Sequence, residues 1–157
     1  FLFIKNQFLN HTVKKTYLAL VEGTPKNEEG MINFQIRSSK TNRFKKVAIT
    51  KAGTVFKTRL VRNAETFYKV KEALGDFSLI EAFPKTGRTH QIRVHLAAIG
   101  CPIVGDEMYG AKSKIAKRQM LHARAIEFAA PNGKKLSLEA PIPEDMCILI
   151  DKLRLGK

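Results

Sequence analysis

Thr86-Gly87-Arg88-Thr89-His90-Gln91-Ile92-Arg93-Val94-His95-Leu96 is the stretch on which the reading of this chain turns. Two arginines, two histidines and a glutamine stand here without an acid among them. Pro84-Lys85-Thr86-Gly87 reads as a loop, and Gly100 followed by Cys101-Pro102 reads as a helix stop. Between them Ile92, Leu96 and Ile99 recur at helical spacing, with Val94 and His95 beside them, so Arg88 to Ile99 is expected to be a helix. Some of the polar groups must then face the core side, where a charge without a partner is costly. An exposed helix start rich in basic residues is the plain alternative. A zinc site fits poorly, because His90 and His95 are not at the i, i+4 spacing that puts two ligands on one helix face, and no acid lies between them.

Upstream of this stretch, Phe77 to Phe83 has strand character and Thr66 to Leu74 a helical flavour that ends at Gly75. Val47–Thr50 and Thr54–Val61 read as strands broken by Ala52-Gly53. Met31 to Ile36 alternates Ile32, Phe34 and Ile36 against polar neighbours, the period of a half-buried strand. Lys15 to Glu22 is a β-rich apolar run closed by Gly23-Thr24-Pro25. Asn6 to Val13 is expected as a short helix with Phe8 and Leu9 inward. Downstream, Met120 to Ala130 and Lys135 to Ala140 form a hairpin around Pro131-Asn132-Gly133, and Pro143 to Leu155 closes as an amphipathic helix. Strands in succession with a few helices and no internal repeat specify an α+β domain on a mainly antiparallel mixed sheet.

The 157 residues carry 28 Lys+Arg against 14 Asp+Glu, a net charge of +14. At 44% apolar with ten Phe, this is a folded chain and not a disordered basic tail. Phe34 to Arg62 contains no acid, while Arg37, Lys40, Arg43, Lys45, Lys46, Lys51, Lys57, Arg59 and Arg62 are all basic. A second acid-free basic stretch runs from Lys112 to Arg124. Such a face is either a solvated surface or a polyanion-binding one, and nucleic acid is the commonest polyanion. No apolar run approaches the ~20 residues of a membrane helix. Cys101 and Cys147 are too few for a disulfide framework or a structural zinc site, which points to a reducing compartment, the cytoplasm. The chain opens Phe1-Leu2-Phe3-Ile4-Lys5 without Met or signal-peptide features, and is expected to begin in a strand within a longer protein.

The stretch Gly87-Arg88-Thr89-His90-Gln91-Ile92-Arg93-Val94-His95-Leu96 resembles the signature of the RluA-type pseudouridine synthases. Three further segments follow that family's order: Lys15-Thr16-Tyr17-Leu18-Ala19, Gly105-Asp106 with Tyr109-Gly110, and Leu121-His122-Ala123 with Phe128 and Pro131. The resemblance covers nearly the whole chain. It implies a pseudouridine synthase-like fold and an isomerase that detaches uracil in RNA, turns it and rejoins it through carbon without a cofactor or metal. The target nucleotide has to be unstacked and flipped into a pocket for this. By the same resemblance Tyr17 stacks on the flipped base, Arg93 partners the catalytic carboxylate, and Leu121 forms an apolar wall. Arg88, His90, Gln91, Lys45 and Lys46 are then RNA-binding candidates. Taken singly, Tyr17 would read as a half-buried strand tyrosine and Arg93 as a surface helix arginine.

In the family the catalytic Asp belongs to a His-Arg-Leu-Asp-x-x-Thr-Ser-Gly motif followed by an apolar strand and Lys-Asn. Phe1 to Asn6 resembles that strand and Lys-Asn, and the motif itself is not among these residues. Asp76, Asp106, Asp145 and Asp151 all lack its context, and Asp106 reads as a turn residue bracing its loop. The chain is accordingly expected to be the C-terminal part of a single synthase domain, 1–157, inactive alone. The alternative is a non-catalytic RNA-binding module. An Arg93 facing an apolar pocket without a carboxylate would be unpaired at real cost, which favours the first. A monomer is expected, because no long apolar patch is evident.

Overall fold

In a computed structural model of the chain, residues 1–50 and 60–156 are described. Lys51, Ala52, Gly53, Lys57, Arg59 and most of the strand expected over Thr54–Val61 lie outside them. The elements are α1 (Leu2–Leu9), β1 (Lys14–Glu22), β2 (Glu29–Ile32), β3 (Gln35–Ser38), β4 (Lys46–Ile49), β5 (Val61–Arg62), β6 (Thr66–Leu74) and β7 (Phe77–Pro84). After these come α2 (Gln91–Ala98), a 3-10 turn at Glu107–Tyr109, β8 (Leu121–Ala129), β9 (Lys135–Glu139) and α3 (Glu144–Arg154).

The apolar run of β1 sits mid-sheet because Leu18, Ala19, Leu20 and Val21 are buried on both faces. It pairs antiparallel with β7 on one side and β8 on the other, in a six-stranded sheet of order β2-β6-β7-β1-β8-β9. A second sheet of order β4-β3-β5 stands apart. Among the described residues every strand pair is antiparallel, and with three helices this is an α+β arrangement. Ile92 and Leu96 of α2 join the main core, while Val94 packs with Ile36, Ala64 and Tyr109 in a smaller cluster. The helix is therefore clamped between the two sheets. Met146 and Ile150 of α3 cover the main core from another side.

Four local expectations are corrected. Thr66–Leu74 is a strand: β6 pairs with β7 through eight residue pairs, and this pairing overrides the helix-forming Lys71-Glu72-Ala73-Leu74 end. The alternation from Met31 to Ile36 is two strands, because β2 joins the large sheet and β3 the small one. The opening residues are not a strand, since Leu2–Leu9 form α1. Nor do Phe8 and Leu9 point inward: Phe1, Leu2, Phe3, Ile4, Phe8 and Leu9 are all exposed, so the reason given for expecting a monomer falls away. Gln7 ties α1 to β8, with its amide donating to Ala129 O at 2.8 Å and accepting from Ala129 N at 2.8 Å. Among the described residues no helix is long and apolar enough to cross a membrane.

Candidate functional site

The loop before α2 is built on Gln91. Its side-chain oxygen accepts from Thr86 Oγ1 (2.7 Å) and from the Arg88 amide (3.0 Å), while Nε2 donates to Glu65 O (2.9 Å) and Thr66 Oγ1 (3.0 Å). These four bonds use the full capacity of a primary amide, and the residue is 3% exposed. Gln91 therefore shapes the loop instead of offering a free group. The chain of bonds continues from Thr66 Oγ1 to His95 Nδ1 (3.0 Å) and from His95 Nε2 to Phe34 O (3.1 Å). A carbonyl can only accept, so Nε2 carries the proton and Nδ1 receives the Thr66 hydroxyl. Burial lowers the His95 pKa, consistent with a neutral ring. His95 is thus a satisfied core histidine that joins α2 to β6 and to the connection between β2 and β3.

His90 precedes α2 in the left-handed region at φ 58°, a conformation uncommon outside glycine. Its Nδ1 lies 3.0 Å from Tyr109 Oη, which also accepts the Lys46 amide at 2.9 Å. Burial first, and then the Arg93 charge, lower the His90 pKa. Arg93, one turn into the helix, forms a fork with Asp106: Nε to Oδ2 at 2.7 Å and Nη2 to Oδ1 at 2.8 Å. The Asp106 side chain is 1% exposed and that of Arg93 13%. The guanidinium also lies 5.0 Å from the centre of the Tyr109 ring, within cation–π range. Hydrogen bonding to Asp106 raises the Arg93 pKa further. Gly105 enables this geometry, because its φ is +76° and a Cβ there would collide with the Arg118 carbonyl.

One cavity of about 340 Å³ gathers Tyr17 from β1, Arg88, His90, Gln91 and Arg93 from the loop and α2, and Leu121 from the start of β8. Lys15, Pro84, Thr86, Gly87, Ile92 and Gln119 complete it. Six of the eight residues singled out in the sequence thus meet at one place. Lys45 and Lys46 do not: Lys46 lines a neighbouring basic cavity with Arg37, Lys40, Arg62 and Arg88, and Lys45 stands 5.7 Å over the Tyr109 ring. Arg93 is not unpaired, which corrects the argument that its lack of a partner marks an incomplete site. Asp106 is that partner, and the turn role expected for it was only half of its part. The signal was present in the two-residue distance of Gly105-Asp106 from a buried apolar run, but spacing alone does not say which cation an aspartate meets.

Among the described residues no carboxylate lines the cavity. Asp106 is held by Arg93, Asp145 by Arg118 and Asp151 by Arg154. The cavity can therefore bind a planar, hydrogen-bonding ligand between an aromatic ring and cations, while a nucleophilic or basic carboxylate is not among its walls. Of the six lining residues that sequence reasoning did not single out for the site, Lys15 is the charged one, and its place two residues before Tyr17 puts it on the same strand face.

A sequence model described as RNA pseudouridylate synthase matches residues 4–98. An uncharacterized RNA pseudouridine synthase of Chlorobaculum parvum is 40% identical over 96% of this chain and 50% of its own length. The uncharacterized RNA pseudouridine synthase YlyB of Bacillus subtilis is 40% identical over 95% of this chain and 47% of its own. Ribosomal large subunit pseudouridine synthase D of Zymomonas mobilis is 35% identical over 96% and 48%. The chain thus spans about half the length of these relatives. Among solved structures, human RNA pseudouridylate synthase domain containing 1 superposes with a TM-score of 0.74 at 27% identity, over 97% of this chain and 70% of that one. Human RNA pseudouridylate synthase domain containing 4 shares the fold, with a TM-score of 0.78 at 24% identity over 96% and 66%. By the extent of the sequence match and the identity to its relatives, the chain belongs to the RNA pseudouridylate synthase family.

Proposed function

We propose that this domain isomerises uridine to pseudouridine in structured RNA. Tyr17 faces the extruded base and Arg93 orders the reacting nucleotide, with no cofactor. The observation that carries the reading is the convergence of Tyr17, Arg93 and Leu121, from three separate elements, on one cavity beside a strongly basic one. In the reaction the N1–C1′ bond breaks, the uracil turns, and a C5–C1′ bond forms; C5 loses a proton to solvent and N1 gains one. Stacking on an aromatic ring supplies ~1–3 kcal/mol of base binding. Arg93 spends Nε and Nη2 on Asp106, and Nη1 has no acceptor among the described residues, so it is available to a ligand or to an incoming carboxylate. That carboxylate belongs, in this reading, to the family's His-Arg-Leu-Asp motif, which none of the 157 residues matches. Ribosomal RNA is supported by the name of the Zymomonas mobilis relative, transfer RNA being the other substrate class, and the cytoplasm is the compartment proposed.

That none of the described residues brings a carboxylate to the cavity walls favours a second reading, a module that binds RNA without turning it over. The two separate on Arg93→Lys, which keeps the charge opposite Asp106 but loses the fork. For a synthase, a chimera carrying residues 1–157 in place of the matching part of YlyB loses turnover on this change while RNA affinity stays within about twofold. For a binding module, affinity falls and there is no turnover to lose.

A further inference from the structure

Lys15 lines the cavity described above, where it is given no role by the reading of Tyr17 and Arg93. Lys15 and Tyr17 leave the same face of β1 and together line two cavities. One is the Tyr17–Arg93 cavity. The other, of about 280 Å³, lies against β8 and β9, with Ala123, Ala125, Leu138 and the paired Arg124 and Glu139 among its walls. The two cavities share Lys15 and Tyr17 as a common wall, so a strand seated by a base in the first can continue past Lys15 into the second.

Lys15 is half-buried, and its ammonium has no hydrogen bond or ion pair among the described residues. Its neighbours are not in that position: Lys14 reaches Glu127 at 3.5 Å, and Arg124 is held by Glu139 at 2.8 Å and by the Ala140 carbonyl. Burial lowers the Lys15 pKa, the signature of a cation kept from water without compensation. Replacing an aliphatic side chain by such a lysine costs stability, and an arriving anion offsets that cost.

We infer that Lys15 binds a backbone phosphate of the RNA, the one flanking the nucleotide held in the Tyr17–Arg93 cavity. The inference rests on the reading of that cavity as a nucleotide site.

The test is binding of a fluorescently labelled single-stranded uridine decamer to this chain, measured by anisotropy across a series of salt concentrations. Wild type, Lys15→Met, Lys15→Arg and Lys14→Met are compared. One phosphate contact on a single strand contributes about 0.7 to the slope of log affinity against log salt. Lys15→Met is expected to lose that 0.7, Lys15→Arg to keep it, and Lys14→Met to leave it unchanged. The thermal midpoint of unbound Lys15→Met should equal or exceed wild type, because an uncompensated cation is removed. An unchanged slope in Lys15→Met, with wild-type binding intact, overturns the inference and leaves the RNA reading standing. A slope lost equally in Lys15→Arg, with a lowered midpoint in both, makes Lys15 structural and overturns it too. Failure of wild type to bind the decamer removes the RNA reading and the inference together.

Discussion

Arg93 and Asp106 face each other through two parallel hydrogen bonds of 2.7 and 2.8 Å, and this fork fastens α2 to the loop that follows it. Both members are mostly withdrawn from water, so each is the main compensation for the other's desolvation. Tyr109 closes the arrangement, with its ring under the guanidinium and its hydroxyl between His90 and the Lys46 amide. The residue assigned to the substrate is thus held by a carboxylate that never reaches the cavity.

Breaking this pair from one side should be severe. Asp106→Ala is expected to lower stability by about 3–5 kcal/mol, the usual result of leaving one buried partner uncompensated. The double variant Arg93→Met with Asp106→Leu should lose clearly less than the sum of the two single changes. Urea denaturation of the four proteins completes the cycle, and additive losses would show that the fork is not a coupled unit.

His95 gives the fold a pH dependence of known sign. Its folded pKa lies below the ordinary histidine value of about 6.5, so the unfolded chain takes up a proton that the folded one refuses. Stability should therefore be constant above about pH 7 and fall as the pH drops through 6.5 towards the lowered value, by at most about 1.4 kcal/mol per pH unit. His90 shifts in the same direction and adds to the slope. Thermal midpoints between pH 7.5 and 5.5 measure it, and His95→Gln should flatten the profile. A profile as steep in that variant would move the effect to His90 or elsewhere.

Gly105 should tolerate no side chain. Its φ of +76° strains any L-residue, and the Arg118 carbonyl occupies the place of a Cβ. Gly105→Ala is expected to cost at least 2 kcal/mol, roughly the upper range for an incompatible backbone site, and to displace Asp106. Gly133→Ala, at φ +79° in an open turn with nothing nearby, is the control. Its loss should be about 1 kcal/mol, the left-handed strain alone.

The basic cavity of about 760 Å³ between β3, β4 and the loop before α2 is lined, among the described residues, by five cations and no acid. Neutralising Arg37, Lys40 and Arg62 to Gln should flatten the salt dependence of RNA binding by about 0.7 per phosphate contact removed. Titration of a labelled RNA hairpin at several salt concentrations reads this out, and an unchanged slope would return these residues to the status of a solvated face.

Much of this was legible beforehand because it rests on local periodicity. β1 is a long β-rich run ended by a turn, and α2 carries both its helical spacing and its stop at Gly100. The parts that were not legible depend on partners distant in sequence. Nothing in Thr66–Leu74 says that two strands flank it, so its helix-forming end misled. The alternation across Ile32 and Ile36 looks the same whether one sheet or two receives it. At the site, Tyr17 and Arg93 were named from family resemblance, and the structure brings them to one cavity. The fork to Asp106 and the free ammonium of Lys15 required coordinates, because charge pairing follows the path of loops that sequence spacing does not encode.

Release of tritium from RNA labelled at uridine C5 tests the account most directly, since C5 loses its hydrogen only when the carbon–carbon glycosidic bond forms. Residues 1–157 alone are expected to release none, and the chimera with the matching part of YlyB replaced by this chain is expected to release it, with Arg93→Lys and Tyr17→Ala abolishing the signal. Release by the isolated chain would contradict the account by requiring a carboxylate within these residues to do the chemistry. A folded, RNA-binding chimera that releases nothing would contradict it from the other side, leaving a cavity that holds RNA without rearranging it.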